Sequence, residues 1–363
     1  GEAPANQGKE TALTIPDSDL APVAAVIVLA AGGGTRMKSR RSKLLHELCG
    51  KSMLSYAVSA AAALNPHHLV VVVGHQRVEV LEHLESLSQN VTTAVQEQQL
   101  GTGHAVACGL GQLPDLEGEV VVTYGDVPLL TGKTLRKLVS IHRAESNAVT
   151  VLTAEVEDPA GYGRIVRTGG KVTGIVEHRD ASDEQLLIRE INSGIYVFDA
   201  AVLRDGLAQL STDNAQGEQY LTDILRYAYD LDRPVGALIT EDVWQTEGVN
   251  DRVQLAELGA EMNRRICEAH MRAGVTIVDP ASTWIDVDVT VGADTTIYPG
   301  TCLRGTTTVG TGCEIGPSAT LIDAEIGDRA VVPAAWIGQG CVAADTMVTP
   351  YSTIGTLIAA PRA

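Results

Sequence analysis

Two rhythms of apolar and polar positions run along the 363-residue chain. In the first, short apolar runs alternate with longer mixed stretches. Val23–Leu29, Leu69–Val73, Val91–Val95 and Val120–Thr123 are mostly β-branched, the pattern of strands buried on both faces. Met53–Leu64, Arg77–Leu87 and a stretch opening at Gly103–Leu110 predict helices between them. Strand and helix alternating at this spacing predict an open, mostly parallel sheet, where ligands collect at the C-terminal strand ends. From Val149 the pattern changes to strands and hairpins: Val149–Ala154, Arg164–Arg167, Lys171–Glu177 and Gly194–Phe198. This predicts a subdomain added at the sheet edge.

The second rhythm has a period of six. Ile285, Val291, Ile297, Leu303, Val309, Ile315 and Leu321 recur every six residues, and Gly292, Gly310 and Gly316 follow three of them. A hexapeptide period of this kind predicts a parallel β-helix. With three hexads to a coil, the stretch makes about four coils. Between the two rhythms, Arg252–His270 carries Val253, Leu255, Leu258, Met262 and Ile266 at helical spacing and predicts a connecting helix. The expected division is a disordered tail over 1–22, an α/β domain over 23–250, the connecting helix over 251–275 and a short β-helix over 276–363.

Composition narrows the function classes. The chain carries a formal net charge of −18 and only 4% aromatic residues, which argues against nucleic-acid binding. Its six cysteines are scattered with no CxxC pair, as expected of reduced, buried thiols rather than a disulfide frame or zinc site. No apolar run is long enough for a membrane helix. The expectation is a cytoplasmic protein with no membrane partner.

Against this acidic background, Val23–Lys43 stands out. A buried strand ends in Gly32-Gly33-Gly34, and Arg36, Lys38, Arg40, Arg41 and Lys43 follow without an acid between them. Glycines bring backbone N–H groups close to a phosphate because no side chain intervenes. The alternative is a turn with solvated cations. Neither Walker A nor the GxGxxG fingerprint is present, since Thr35-Arg36 and Met37 occupy the deciding positions. Asp126 follows the strand Val120–Thr123 and is a candidate Mg²⁺ ligand or a turn cap. Asn250 is a candidate second oxygen donor or a residue near a helix cap. Gln96 and Leu100-Gly101-Thr102-Gly103 offer groups for a base edge, or simply a turn before a helix. His104 reads as structural. Gly163, Glu177 and Asn192 are candidates for hydrogen bonds to sugar hydroxyls.

Together these segments resemble the bacterial N-acetylglucosamine-1-phosphate uridylyltransferases, the N-terminal part of the bifunctional GlmU family. The resemblance rests on LAAGGGTRM (29–37), Lys43, GKSML (50–54), QEQQLGTGHA (96–105), YGDVPLL (124–130), GYGRI (161–165), GKVTGIVEHRDASDEQ (170–185), INSGIY (191–196), YLTD (220–223) and EGVNDRVQLAEL (247–258). It implies a Rossmann-like nucleotidyltransferase domain followed by a short left-handed parallel β-helix. It implies UTP and N-acetylglucosamine 1-phosphate as substrates, Mg²⁺ as cofactor, a role in cell-wall precursor synthesis and a homotrimer formed through the β-helix. Leu29, Ala30, Ala31, Gly32, Gln96, Gly101 and Thr102 match its uracil and ribose contacts, with Tyr124 and Gly125 on the same wall. Arg36 and Lys43 match its basic catalytic pair, and Asp126 and Asn250 its metal ligands. Gly163, Glu177 and Asn192 match its sugar-phosphate contacts.

Two features depart from the family. Ser42 stands where it usually has proline before the lysine. No histidine follows His270, whereas the family's acetyltransferase site uses one in the β-helix, so these 363 residues are expected to lack acetyltransferase activity. The alternatives are a related nucleotidyltransferase for another sugar or nucleotide, and a non-catalytic binder of UDP-sugars.

Overall fold

The structure, a computed structural model, describes residues 20–75 and 77–356. Most of the expected disordered tail over 1–22 therefore lies outside the described residues. The α/β part opens with β1 (Ala25–Ala30), a small hairpin of β2 (Glu47–Leu48) and β3 (Lys51–Ser52), and α1 (Met53–Ala62). It continues with β4 (His68–Val73), α2 (Arg77–Ser86), β5 (Thr92–Val95), α3 (Thr102–Leu110), β6 (Glu119–Tyr124) and α4 (Gly132–Ala144). Next come β7 (Val149–Glu155), β8 (Arg164–Thr168), β9 (Lys171–Val176), α5 (Asp183–Leu186) and β10 (Glu190–Asp199). The last elements before the coils are α6 (Ala200–Ala208), α7 (Asp223–Asp230), β11 (Val235–Thr240) and α8 (Arg252–Arg272).

The sheet order is β11-β7-β10-β6-β1-β4-β5. Strand β1 is buried along its whole length and alternates its side chains between two apolar layers. Ile27 and Leu29 enter one layer, Val26 and Val28 the other. This explains the unbroken apolar run, since a parallel strand covered on both faces has no solvent side. The chain steps from β1 to β4 and β5, then returns to place β6 on the other side of β1. The crevice between the C-terminal ends of β1 and β6 is thus a topological switch point, the usual ligand site of such sheets.

The expected edge subdomain needs correcting. β7 and β10 are not an addition at the edge: both lie inside the sheet, with β10 antiparallel to β6 and to β7. Only the β8–β9 hairpin leaves the main order. Local spacing could not show this, because strand order depends on where the antiparallel β10 returns. The amphipathic helices α4, α6 and α7 and the strand β11 also went unread in the sequence.

The hexad region forms stacked parallel strands in three sheets. Ile285, Leu303, Leu321 and Ile337 align in one, Ile297, Ile315 and Val332 in a second, and Val291, Val309, Ile326 and Val342 in the third. Where the sequence period slips after Leu321, the strands stay in register and the corners absorb the missing residues. Helix α8, capped by the Asp251 side chain, joins the two parts. Its Leu258 and Met262 pack on Met37, Leu48 and Met53, while Cys267 enters the interior of the coils.

All six cysteines are free. Burial pushes the Cys49 thiol up to about 12 and that of Cys267 to about 11, so both stay protonated and packed. No helix among the described residues is long and apolar enough to cross a membrane.

Candidate functional site

A cleft of about 250 Å³ opens at the switch point. It is lined by Leu29, Ala30, Ala31 and Gly32 from the end of β1, Lys43, Gln96, Gly101 and Thr102, and Tyr124 and Asp126 from the end of β6. Leu29 pairs with Tyr124 across the two strands, and the Gly125 N–H donates to Leu29 O at 2.9 Å. The folded chain therefore gathers ten of the residues singled out in the sequence. Around Gly32 and Gly33 there is open space: an added Cβ would meet nothing within 4 Å. Packing does not demand glycine at these two positions. Gly34 differs, with φ +58° and Lys43 Cβ 2.6 Å from where its own Cβ would lie. There the fold itself requires glycine.

Lys43 and Asp126, 83 residues apart, meet across the cleft at 2.7 Å, Nζ to Oδ2. The segment preceding α8 closes on the same point. The Val249 N–H donates to the Asp126 carbonyl at 3.0 Å, and the Gly248 Cα faces the Asp126 carboxylate. Asn250 follows directly. Its N–H is taken by Gln254 Oε1 at 2.8 Å, and its side chain makes no hydrogen bond among the described residues. Asp126 lines the cleft and Asn250 follows the segment docked on it, and both residue types carry a hard oxygen donor. Mg²⁺ commonly takes one or two protein oxygens and completes its shell with phosphate oxygens and water. The residues present fit such an ion. No group of three or more His, Cys, Asp or Glu side chains that could hold a metal exists among the described residues, so substrate oxygens would have to complete the shell.

Polar contacts fix the wall of the cleft formed by residues 96–104. The buried Gln96 amide donates from Nε2 to Gly101 O at 3.2 Å and lies 3.0 Å from His104 Nδ1, giving His104 the structural part expected of it. Gln99 donates to Ala31 O at 2.8 Å and fixes the end of the glycine loop. Gln99 was not singled out in the sequence. Its place three residues after Gln96, before a glycine turn, was the available signal. The contacts that Gln219 and Leu221 make with this turn also went unread, although YLTD (220–223) was among the matching segments. Gly103 N–H donates to Gln219 O, and Leu221 N–H to Thr102 Oγ1, clamping the turn before α3.

Gly163, Glu177 and Asn192 form a second cluster beyond Tyr124. The Asn192 N–H donates to Gly163 O at 2.9 Å, and the Gly163 Cα faces the Glu177 carboxylate. Asn192 Oδ1 accepts from Gly194 N–H and Tyr196 Oη. These contacts direct its amide oxygen into the protein and leave its NH₂ as the remaining donor. Gly194, at φ +82°, sits where β10 shifts register and lies against the Tyr124 ring. Tyr124 therefore stands between the two clusters, and burial with Asp126 and Glu177 nearby raises its phenol pKa. Burial also raises the Glu177 carboxyl, reinforced by Asp223 and Asp180 and opposed by a hydrogen bond from Thr222. The Tyr162 hydroxyl donates to Glu247 at 3.0 Å, joining the loop before Gly163 to the segment before Asn250.

Of the residues expected at the nucleotide and metal, three stand apart from the cleft lining, Asn250 among them. Gly125 faces Leu44 and Leu54 instead. Arg36 is exposed and makes no ion pair or hydrogen bond through its side chain among the described residues.

A family model described as nucleotidyl transferase matches residues 25–287. A protein named bifunctional protein GlmU, from Cutibacterium acnes, is 60% identical over 338 residues, covering 92% of this chain and 81% of that protein. The chain belongs to the GlmU family of nucleotidyltransferases. Proteins of the same name from Corynebacterium efficiens and Thermobifida fusca are 53% and 55% identical. The first covers 91% of this chain and 69% of the relative, the second 85% and 65%. As a GlmU-family member the chain is an enzyme, a sugar-phosphate nucleotidyltransferase of the UDP-N-acetylglucosamine pyrophosphorylase type.

Proposed function

We propose that this chain transfers the uridylyl group of UTP to N-acetylglucosamine 1-phosphate, with Mg²⁺, in the cytoplasm. A phosphate oxygen of the sugar 1-phosphate attacks the α-phosphorus of UTP. The bond from that phosphorus to the bridging oxygen breaks, and pyrophosphate leaves with its electron pair. The nucleophile is already an anion, so no general base is needed.

The observation that carries this reading is the meeting of Lys43 and Asp126 at 2.7 Å beside an open glycine loop. Backbone groups of Ala30–Gly32 and the fixed amide of Gln96, with Gly101, Thr102, Tyr124 and Gly125, receive the nucleoside. Lys43 and the unpaired Arg36 balance negative charge on the phosphates, an effect worth most when the donors are preorganised. Asp126 and Asn250 hold Mg²⁺, which supplies further charge neutralisation when bound. The NH₂ of Asn192, the Glu177 carboxylate and the backbone at Gly163 orient the sugar. Positioning of this kind accounts for several orders of magnitude in two-substrate reactions.

The same reading gives a homotrimer formed through the coils, and no acetyl transfer by these 363 residues, which hold no histidine after His270. The test is pyrophosphate release from UTP and N-acetylglucosamine 1-phosphate with and without Mg²⁺, beside a panel of other nucleotides and sugar phosphates. Preference for a different pair would reassign the substrates, and no turnover with any pair would leave a UDP-sugar binder.

A further inference from the structure

The loop carrying Arg36 and Lys43 is tied to distant parts of the chain at two points. Arg252 Nε donates to Met37 O at 3.0 Å. At the other end, the Ser42 N–H donates to Glu79 Oε2 at 3.4 Å, across 37 residues. Glu79 lies in the first turn of α2, outside the cleft. That helix packs Val80 and Leu84 into the same apolar layer as Leu44 and Leu45, the residues that follow Lys43. The helix supplying the carboxylate is thus already seated against the turn it holds.

The Glu79 contact is the hold on Ser42 that comes from outside its own turn. Ser42 begins the one-turn helix Lys43–Leu45 with φ −54° and ψ 136°, and its side chain caps nothing. Its carbonyl accepts the Leu45 N–H at 3.1 Å within the turn, which leaves its N–H as the backbone group that a contact from elsewhere can hold. The lysine that follows has little room for error. Its Cβ presses against Gly34 and its ammonium sits 2.7 Å from Asp126, so a slide of the backbone at Ser42 carries the stem into the glycine loop or the charge out of the cleft.

We propose that Glu79 is a positioning residue: by accepting the Ser42 N–H it fixes the backbone that aims Lys43 at the reacting phosphates. The proposal rests on the charge-stabilising role read above for Lys43 and extends it to a residue that touches no substrate.

The test compares Glu79→Ala, Glu79→Gln, Ser42→Pro and the double variant Glu79→Ala/Ser42→Pro. It reads kcat and KM by pyrophosphate release, and backbone amide exchange over residues 40–46. Glu79→Ala is expected to lower kcat about 3–10-fold, the rate equivalent of one ordinary intramolecular hydrogen bond, with KM for UTP changed less than about twofold. Amide exchange over 40–46 should rise while that of β1 stays constant. Glu79→Gln keeps an oxygen acceptor and should stay within about twofold of the parent in kcat. Proline holds φ near −65° and has no N–H. In the Ser42→Pro background Glu79→Ala should therefore change kcat less than about twofold.

Equal losses from Glu79→Ala in both backgrounds, equal damage from Gln and Ala, or unchanged exchange over 40–46 would each overturn the proposal. Should Ser42→Pro not fold, the Ala and Gln variants with their exchange decide it. A parent without turnover would refute the uridylyl-transfer reading, and the exchange data would still decide whether Glu79 holds the loop.

Discussion

The α/β part and the coils are built from similar small aliphatic residues, yet their polar contacts follow different rules. In the coils, partners lie about one turn apart. Asp323 and Asp328 accept N–H groups from Thr306 and Thr311, both 17 residues away, and Thr295 accepts the Cys313 N–H, 18 residues away. Each coil satisfies its neighbour, as in other solenoids. At the cleft, Gln96 reaches only to Gly101 and His104, but Lys43 and Asp126 are 83 residues apart and Ala31 and Gln99 68; outside its lining, Tyr162 and Glu247 are 85 apart and Met37 and Arg252 215. The side chains of Arg36 and Asn250 are left without hydrogen-bond partners among the described residues. Unpartnered polar groups are not confined to the α/β part, since Thr301 Oγ1 and Trp336 Nε1 are buried in the coils without a hydrogen-bond partner among the described residues; what sets Arg36 apart is that its unpartnered group is exposed.

The sharpest way to test this contrast is to remove one side of the cleft pair. Lys43→Ala or Asp126→Ala should lower kcat on the order of 10²–10³-fold, the usual cost of one preorganised contact in a transition state, while the melting curve keeps its shape. Turnover close to the parent's in pyrophosphate release would remove both residues from the proposed machinery. In the coils the opposite is expected. Leu321 is fully buried, and Leu321→Ala should destabilise the stack by about 2–5 kcal/mol in a denaturant titration. Turnover at 25 °C should stay within about twofold. A collapse of activity in step with the coils would mean that the two parts unfold as one unit.

A smaller effect tests the joint between them. Buried Asn263 on α8 donates to Thr283 O at 2.8 Å and accepts the Ile285 N–H at 2.9 Å. Asn263→Ala leaves both backbone groups unpaired, at a cost of about 1–3 kcal/mol. It should separate the unfolding of the coils from that of the α/β part, seen as a second step in calorimetry. The smallest expected effect is that of Glu177→Gln. Burial raises the folded-state pKa of Glu177, so folding favours its protonated form. Its penalty is absent below the ordinary carboxyl pKa, grows as pH rises and is complete above the folded value. Glu177→Gln should therefore raise the melting temperature at pH 7.5 and leave it unchanged near pH 3, while KM for the sugar phosphate rises. A melting temperature that drops at pH 7.5 and stays unchanged near pH 3 would mean that the charge is favourably placed.

Several features were legible because they are local. The apolar run of β1 can only be a strand covered on both faces, and a glycine loop after it exposes backbone N–H groups. The hexads from Ile285 to Leu321 dictate coils, since each aliphatic residue has one interior position to fill. The site residues were legible as segments with the right chemistry, and the resemblance supplied their joint meaning. Missed were the contacts that hold the segments in place: Gln99 on Ala31, residues 218–221 on the turn before α3, and Glu79 on Ser42. Each joins residues far apart in the chain through a single hydrogen bond, and such a bond leaves no periodic trace.

What the chain's order of residues determined alone was the kind of element at each place and the kinds of group available for chemistry. Apolar periodicity and backbone freedom act over a few residues and are written directly into it. Tertiary structure decided that β10 returns antiparallel beside β6, that Val249 docks on Asp126, and that Lys43 meets a carboxylate rather than solvent. Those outcomes depend on packing two apolar layers against one twisted sheet, a condition that only the whole folded chain can satisfy.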